Sequence, residues 1–231
     1  MFPLLAALVA LVFAALLARQ FARRRRSYQA FWAIALLMYA IASATVALGA
    51  AHGWTSVEFR VYWTLGAVLN VPFLAQGELD LLVRNRAARS SLYVLLVFLT
   101  AYTIAVVRTA HLPGGTGALA ADLPSGKDVF GDGTPAHRLP QLISIPAYLV
   151  LVGGTLWSAW RMRGRPELRD RFRGTLLIAL GATVIAGFGS AFAALGHLLP
   201  FSIALLAGIA VMFLGFLRAS ATTAPTESRP S

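Results

Sequence analysis

The sequence predicts an all-α polytopic membrane protein, a bundle of seven transmembrane helices with the N-terminus outside and the C-terminus inside. Three observations carry that expectation. First, 58% of the 231 residues are hydrophobic and only 13% are charged, whereas a soluble domain carries about a quarter charged residues and just under half apolar ones. Second, the apolar residues gather into runs long enough to cross a hydrocarbon core of about 30 Å, which takes roughly 17–25 helical residues. Third, the connections between the runs alternate between Arg-rich and Arg-poor. This composition excludes a disordered chain, a nucleic-acid-binding module and an ordinary soluble enzyme. The lack of cysteine excludes disulfides, thiolate metal sites and cysteine nucleophiles.

The first run, Phe2–Ala18, has its positive charges after it rather than before it, so it reads as a retained helix inserted N-out and not as a signal peptide. Arg19 and Arg23 to Arg26 lead to the second run, Tyr28–Ala51. The third, Val57–Val83, opens with Thr55 and Glu58 at capping-box spacing. It is long enough to tilt or bend, and Pro72 within it removes a backbone hydrogen bond and favours a kink. Arg84, Arg86 and Arg89 precede the fourth run, Ser91–Val107. The 108–138 loop is rich in Gly and Pro, contains the only lysine, Lys127, and is longer than structureless loops usually are. It reads as an outer lid, with a short hairpin around Lys127 to Asp132. The remaining runs are Leu139–Trp160, Gly174–Leu195 and Pro200–Leu217, with six Arg residues between the fifth and sixth. The positive-inside rule sets all three Arg-bearing connections in the cytoplasm, where they would meet anionic lipid headgroups. Ala219–Ser231, rich in Ser, Thr and Pro, reads as a disordered cytoplasmic tail behind a membrane domain at 1–218. The preference for Arg over Lys, with abundant Ala and Gly, points to a bacterial source and so to the cytoplasmic membrane.

A weak internal repeat runs through the chain. Arg24, Arg26, Ser43, Ala47 and Gly49 fall opposite Arg171, Arg173, Ser190, Ala194 and Gly196, giving two parallel three-helix units joined by a fourth helix, a pattern known in transporters. The stretches Gly153–Trp160, Leu177–Ala182 and Gly208–Leu217 resemble an uncharacterised family of bacterial seven-helix membrane proteins, over most of the chain. That resemblance implies the fold and brings no activity. The 3+1+3 layout is also similar to that of SWEET and PQ-loop transporters and microbial opsins. Pro140-Gln141 matches the PQ dipeptide, without a counterpart in the first helix.

The third run holds the main candidate site. Asn70, Gln76, Glu78 and Asp80 lie close to Pro72, and carboxylates within a membrane are costly and often mark transport paths. They read as an ion or proton site facing a polar cavity, with Asn70 and Gln76 meeting carbonyls freed by the proline. The structural alternative pairs Asp80 with Arg84 at i,i+4 and Glu78 with another Arg at the interface. Arg60 and Tyr62, with Trp63, read either as an interfacial belt or as ligand contacts at an outer mouth. His52 and His197 sit at matching helix ends on the same side. Neutral imidazole binds metals readily, yet the spacing of the four histidines matches no compact zinc signature. Ala182, Ala186, Ser190 and Ala194 on the sixth helix form a seam of small residues suited to close helix packing. No lysine within a helix is available for retinal, no intramembrane His pair for haem, and no acid–base pair for hydrolysis, so no cofactor and no metal is expected. The expected functions are a small-solute or ion transporter, a receptor-like sensor or accessory subunit, and a membrane-embedded lipid-acting enzyme, in that order.

Overall fold

The apolar runs fold as helices that extend past their apolar cores into the flanking arginines, whose long stems cover apolar surface while the charge reaches water. The computed structural model describes residues 1–221, and among these every regular element is helical. Helix α1 covers Phe2–Arg24. Arg25 then takes the left-handed conformation at φ 52° and its N–H donates to the Phe21 carbonyl. This closure lets Arg25 and Arg26 alone form the turn into α2, Ser27–His52.

The third run becomes one continuous helical path with a wide turn in it. Helix α3 (Ser56–Tyr62) carries the expected capping box: Glu58 N–H donates to Thr55 Oγ1, and Thr55 N–H donates back to Glu58 Oε2 at 2.9 Å. A π-helical segment, Trp63–Leu69, leads directly into α4, Asn70–Leu82. Pro72 has no N–H to offer to the preceding turn. The carbonyls of Ala67 and Val68 are met instead by Ser144 Oγ, which lies 2.8 and 3.0 Å away. Asn70 and Gln76, expected in that role, turn elsewhere: Asn70 Nδ2 donates to the Ala35 carbonyl at 2.8 Å and Gln76 Nε2 to Asp80 at 3.2 Å. A partner from a distant helix reaches the gap more directly than a side chain on the same helix can.

Helix α5 (Arg86–Thr109) is N-capped by Asn85, whose side chain accepts from the Ala87 and Ala88 N–H groups. The 108–138 loop folds around three short helices, α6 (Gly115–Leu119), α7 (Gly126–Phe130) and α8 (Pro135–Leu139). The expected hairpin at Lys127 is α7, because Ser125 Oγ accepts from Asp128 N–H and starts a helix there. A second π-helical segment, Pro140–Ser144, joins α8 to α9, Ile145–Met162. Helix α10 (Arg169–Thr183) runs through a third, Val184–Gly189, into α11, Ser190–Ala194. Helix α12 covers Leu198–Ala221. It includes Ala219 to Ala221 of the expected tail, whose remainder, 222–231, lies outside the described residues.

Among the described residues six helices are long and apolar enough to cross a membrane. The 56–82 path is not one of them, because Arg60, Asn70, Gln76, Glu78 and Asp80 lower its mean hydropathy. Those polar groups are tolerable because α4 is the helix most enclosed by protein, with Asn70, Gln76, Glu78 and Asp80 all buried. The helices form a closed ring in the order α1, α2, α4, α9, α10, α12, and α12 packs back on α1. Phe13 closes the ring against Phe213 and Phe216, with centroids 5.3 and 4.8 Å apart. Helix α5 stands outside it, against α4 and the first π-helical segment. Glycines set the closest helix approach: a Cβ on Gly181 would lie 2.5 Å from the Gly208 carbonyl oxygen, and one on Gly174 2.5 Å from that of Gly215. In lipid, where apolar burial between helices gains little, such backbone-to-backbone packing supplies the attraction.

Candidate functional site

The ring encloses a cavity of about 740 Å³ on the side of the 108–138 loop, within the range of small-molecule sites, about 300–1,000 Å³. Its wall is chiefly apolar, with a few polar side chains set into it. All three π-helical segments contribute to that wall, through Gly66 and Ala67, through Gln141 and Ser144, and through Ile185 and Gly187. A π turn widens the helix and displaces the following residues, and such turns gather at functional sites. Here all three border the same space.

The lid is folded and fastened. Trp63 Nε1 donates to the Ala136 carbonyl at 3.0 Å and Trp54 Nε1 to that of Asp122 at 3.1 Å. The Trp63 ring lies so close over Gly126 that a Cβ there would come within 1.9 Å of it. Phe130 packs between Phe59 and Trp63, at 5.4 and 5.7 Å. The fully buried Leu123, Val129 and Phe130 make the lid part of the core. Trp63 is therefore an anchor for the lid. Pro124 to Asp128 roof the cavity, so the only lysine and an aspartate stand at its mouth, with His137 and Gln141 beside them.

The expected site residues separate into four groups. Asn70 lines the cavity, and so does Tyr62, whose side chain is buried. Gln76, Glu78 and Asp80 lie further along α4, beyond the cavity floor. Arg60 sits to one side, donating to the Val107, Arg108 and Ala110 carbonyls at the C-terminal end of α5, where cations are favoured by the helix dipole. His52 is exposed, 3.6 Å from Glu58, and His197 is exposed at the start of α12; neither reaches the cavity. Among the described residues no group of three or more His, Asp or Glu side chains is placed to hold a metal ion.

Beyond the floor the two acids differ sharply. Asp80 takes hydrogen bonds from Tyr93 Oη at 3.0 and 2.9 Å and from Gln76, with Arg89 Nε 3.9 Å away. Arg89 also donates to the Asp80 and Val83 carbonyls. Asp80 thus clasps α5 to α4, and its cation is Arg89, not the Arg84 that i,i+4 spacing suggests. Glu78 receives one hydrogen bond, from Ser158 Oγ of α9 at 3.1 Å. It lies in a recess made by Gly154, where a Cβ would be 2.7 Å from Glu78 Cγ. Among the described residues no Arg, Lys or His comes within ion-pair distance of it.

Several cavity residues carry no signal in the sequence that marks them as such. Tyr39, whose hydroxyl donates to the Leu205 carbonyl at 2.8 Å, and Ser144 read as ordinary helix residues. Ala182, Ala186, Ser190 and Ala194 were visible as a seam of small residues, yet all four line the cavity and the tight packing falls to the glycines. No family model, curated protein or solved structure matches the chain.

Proposed function

We propose that the chain is a seven-span protein of the bacterial cytoplasmic membrane, N-out and C-in, that binds a small, chiefly apolar solute in a cavity facing the outside and carries it across. The carrying observation is the convergence of all three π-helical segments on one lidded cavity. The 56–82 path supplies the seventh span. Its polar groups continue from Asn70 in the cavity to Glu78 and Asp80 toward the Arg-bearing end, the sequence of sites a permeation route would use. The 3+1+3 repeat would set α1, α2, α4 against α9, α10, α12 around the ring, with α5 outside it. The Arg clusters would face anionic headgroups on the cytoplasmic leaflet.

A second reading is a ligand sensor, favoured by the Asp80 clasp, which ties α5 to α4 at the Arg-bearing end through Tyr93, Gln76 and Arg89. The two readings differ in access. Asn70→Cys, in a chain with no other cysteine, should react with a small membrane-impermeant thiol reagent from the lid side. A transporter that alternates also exposes it to reagent from the opposite side; a sensor does not. Reaction from neither side refutes an aqueous mouth to the cavity, and with it the outward-facing carrier.

A further inference from the structure

We propose that the cavity takes a single-chain amphiphile with an uncharged hydroxyl head directly from the surrounding acyl chains, through a cleft between α9 and residues 184–194. This rests on the cavity being a binding site, and adds the class of ligand and its route.

The cleft follows from how the two helices part. Along α10 the packing against α9 is close, and Tyr148 Oη donates to Thr183 Oγ1 at 3.0 Å on the surface of the bundle. Immediately after Thr183 the helix widens into its π turn. From there Val184–Gly189 and α11 pack on α12, with no comparable packing on α9 or on Pro140–Ser144. The parted walls serve two surfaces at once. Ile145 and Leu149 on one side, and Gly187 and Ser190 on the other, line the cavity and are also exposed. A Cβ added to Gly187 would meet nothing within 4 Å. The wall is interrupted there, and the small stripe of Ala182, Ala186, Ser190 and Ala194 keeps the gap free of bulk.

What lies outside the gap decides the occupant. Leu142, Phe188 and Leu195 flank it and are mostly exposed, so in the membrane it faces acyl chains, where only a lipid-soluble molecule can enter. At the mouth the polar side chains are already engaged with one another. Lys127 Nζ lies 3.8 Å and His137 Nδ1 3.5 Å from the Asp132 carboxylate, and Ser125 Oγ donates to Asp128 at 2.7 Å. One lysine against two aspartates is no basic cluster for an anionic head, and Lys127 itself stands against a cationic one, whereas a hydroxyl can accept from Lys127 and donate to Asp128 or Gln141. An alkyl chain in the apolar interior with its hydroxyl under the lid satisfies both regions.

The test uses the full chain in proteoliposomes with dodecanol carrying a photoreactive diazirine, and maps the labelled peptides by mass spectrometry. Label is expected on the cavity stripe at 182–194 and around Trp63, and should be lost to competition by plain dodecanol but not by dodecanoate or dodecylammonium. Bridging Ile145→Cys and Gly187→Cys, on opposite walls of the gap, with a bifunctional thiol reagent should abolish cavity labelling, and so should Ala186→Trp, which fills the gap without touching the lid. Monodisperse elution of both variants establishes that they fold. Undiminished cavity labelling in both variants overturns the cleft while leaving the binding site standing. Labelling confined to outward residues such as Leu142 and Phe188, without competition, overturns both. Equal competition by dodecanoate overturns the uncharged head.

Discussion

Replacing Asp80 by alanine should unlatch α5 from the ring. The Asp80 side chain is 1% exposed and accepts hydrogen bonds from Tyr93 and Gln76 while facing Arg89. Removing one member of a buried ion pair costs about 3–5 kcal/mol, since the other is left without compensation. Arg89 is 35% exposed and can recover part of this from water, which puts the expected cost near the low end, about 3 kcal/mol. For a chain of this size each kcal/mol moves Tm by about 2–4 °C, so the expected loss is about 6–12 °C. Asp80→Asn keeps an acceptor for Tyr93 and should cost about 1–1.5 kcal/mol. Glu78→Gln keeps the acceptor for Ser158 and should stay within about 1 kcal/mol of the parent. Thermal melts of the purified protein in detergent, followed by intrinsic fluorescence, compare the three. A Tm for Asp80→Ala within about 2 °C of the parent, or an equal loss for Glu78→Gln, refutes the assignment of the clasp to Asp80 alone.

Gly181→Val brings a branched side chain against the Gly208 carbonyl, 2.5 Å from where its Cβ must sit; the monodisperse fraction on size exclusion should collapse, while Gly153→Val, with nothing within 4 Å, should match the parent. Trp63→Leu removes the hydrogen bond to Ala136 and the ring over Gly126, so protease added on the lid side should cut within 108–138 faster than in the parent; an unchanged rate would show that Trp54 and Phe130 hold the lid without it. Reporter fusions at Arg25, Gly164 and the C-terminus should report the cytoplasm and a fusion at Gly115 the outside; any reversal refutes the orientation drawn from the Arg loops.

Much of the architecture is legible without coordinates because it depends on the solvent. Bilayer thickness sets the length of an apolar run, and six of the runs fold as helices able to cross it. The Thr55–Glu58 box is legible for a second reason: both partners lie within one turn, so spacing alone brings them together. The candidate site is legible only in part. The third run stands out for its polar residues, and Asn70 does line the cavity, but spacing does not fix the roles of its neighbours. Asp80 chose Arg89 over Arg84 because α5 turns back along α4 after Val83, and that turn brings Arg89 and Tyr93 to one carboxylate.

By itself, then, the sequence determined the medium, the helical runs and their local caps, since these follow from transfer free energy and from contacts within a turn. Only the tertiary structure decided which small residues face a helix and which face empty space. Alanine and serine at every fourth position make a smooth stripe in either case, and the same stripe serves close packing or an open wall according to where the next helix stands. At Thr183 the π turn carries the chain away from α9, and from that point the stripe lines a cavity. That divergence depends on glycine contacts between α10 and α12 and on Ser144 bonding carbonyls more than seventy residues earlier in the chain. Such pairings exist only once the ring has closed.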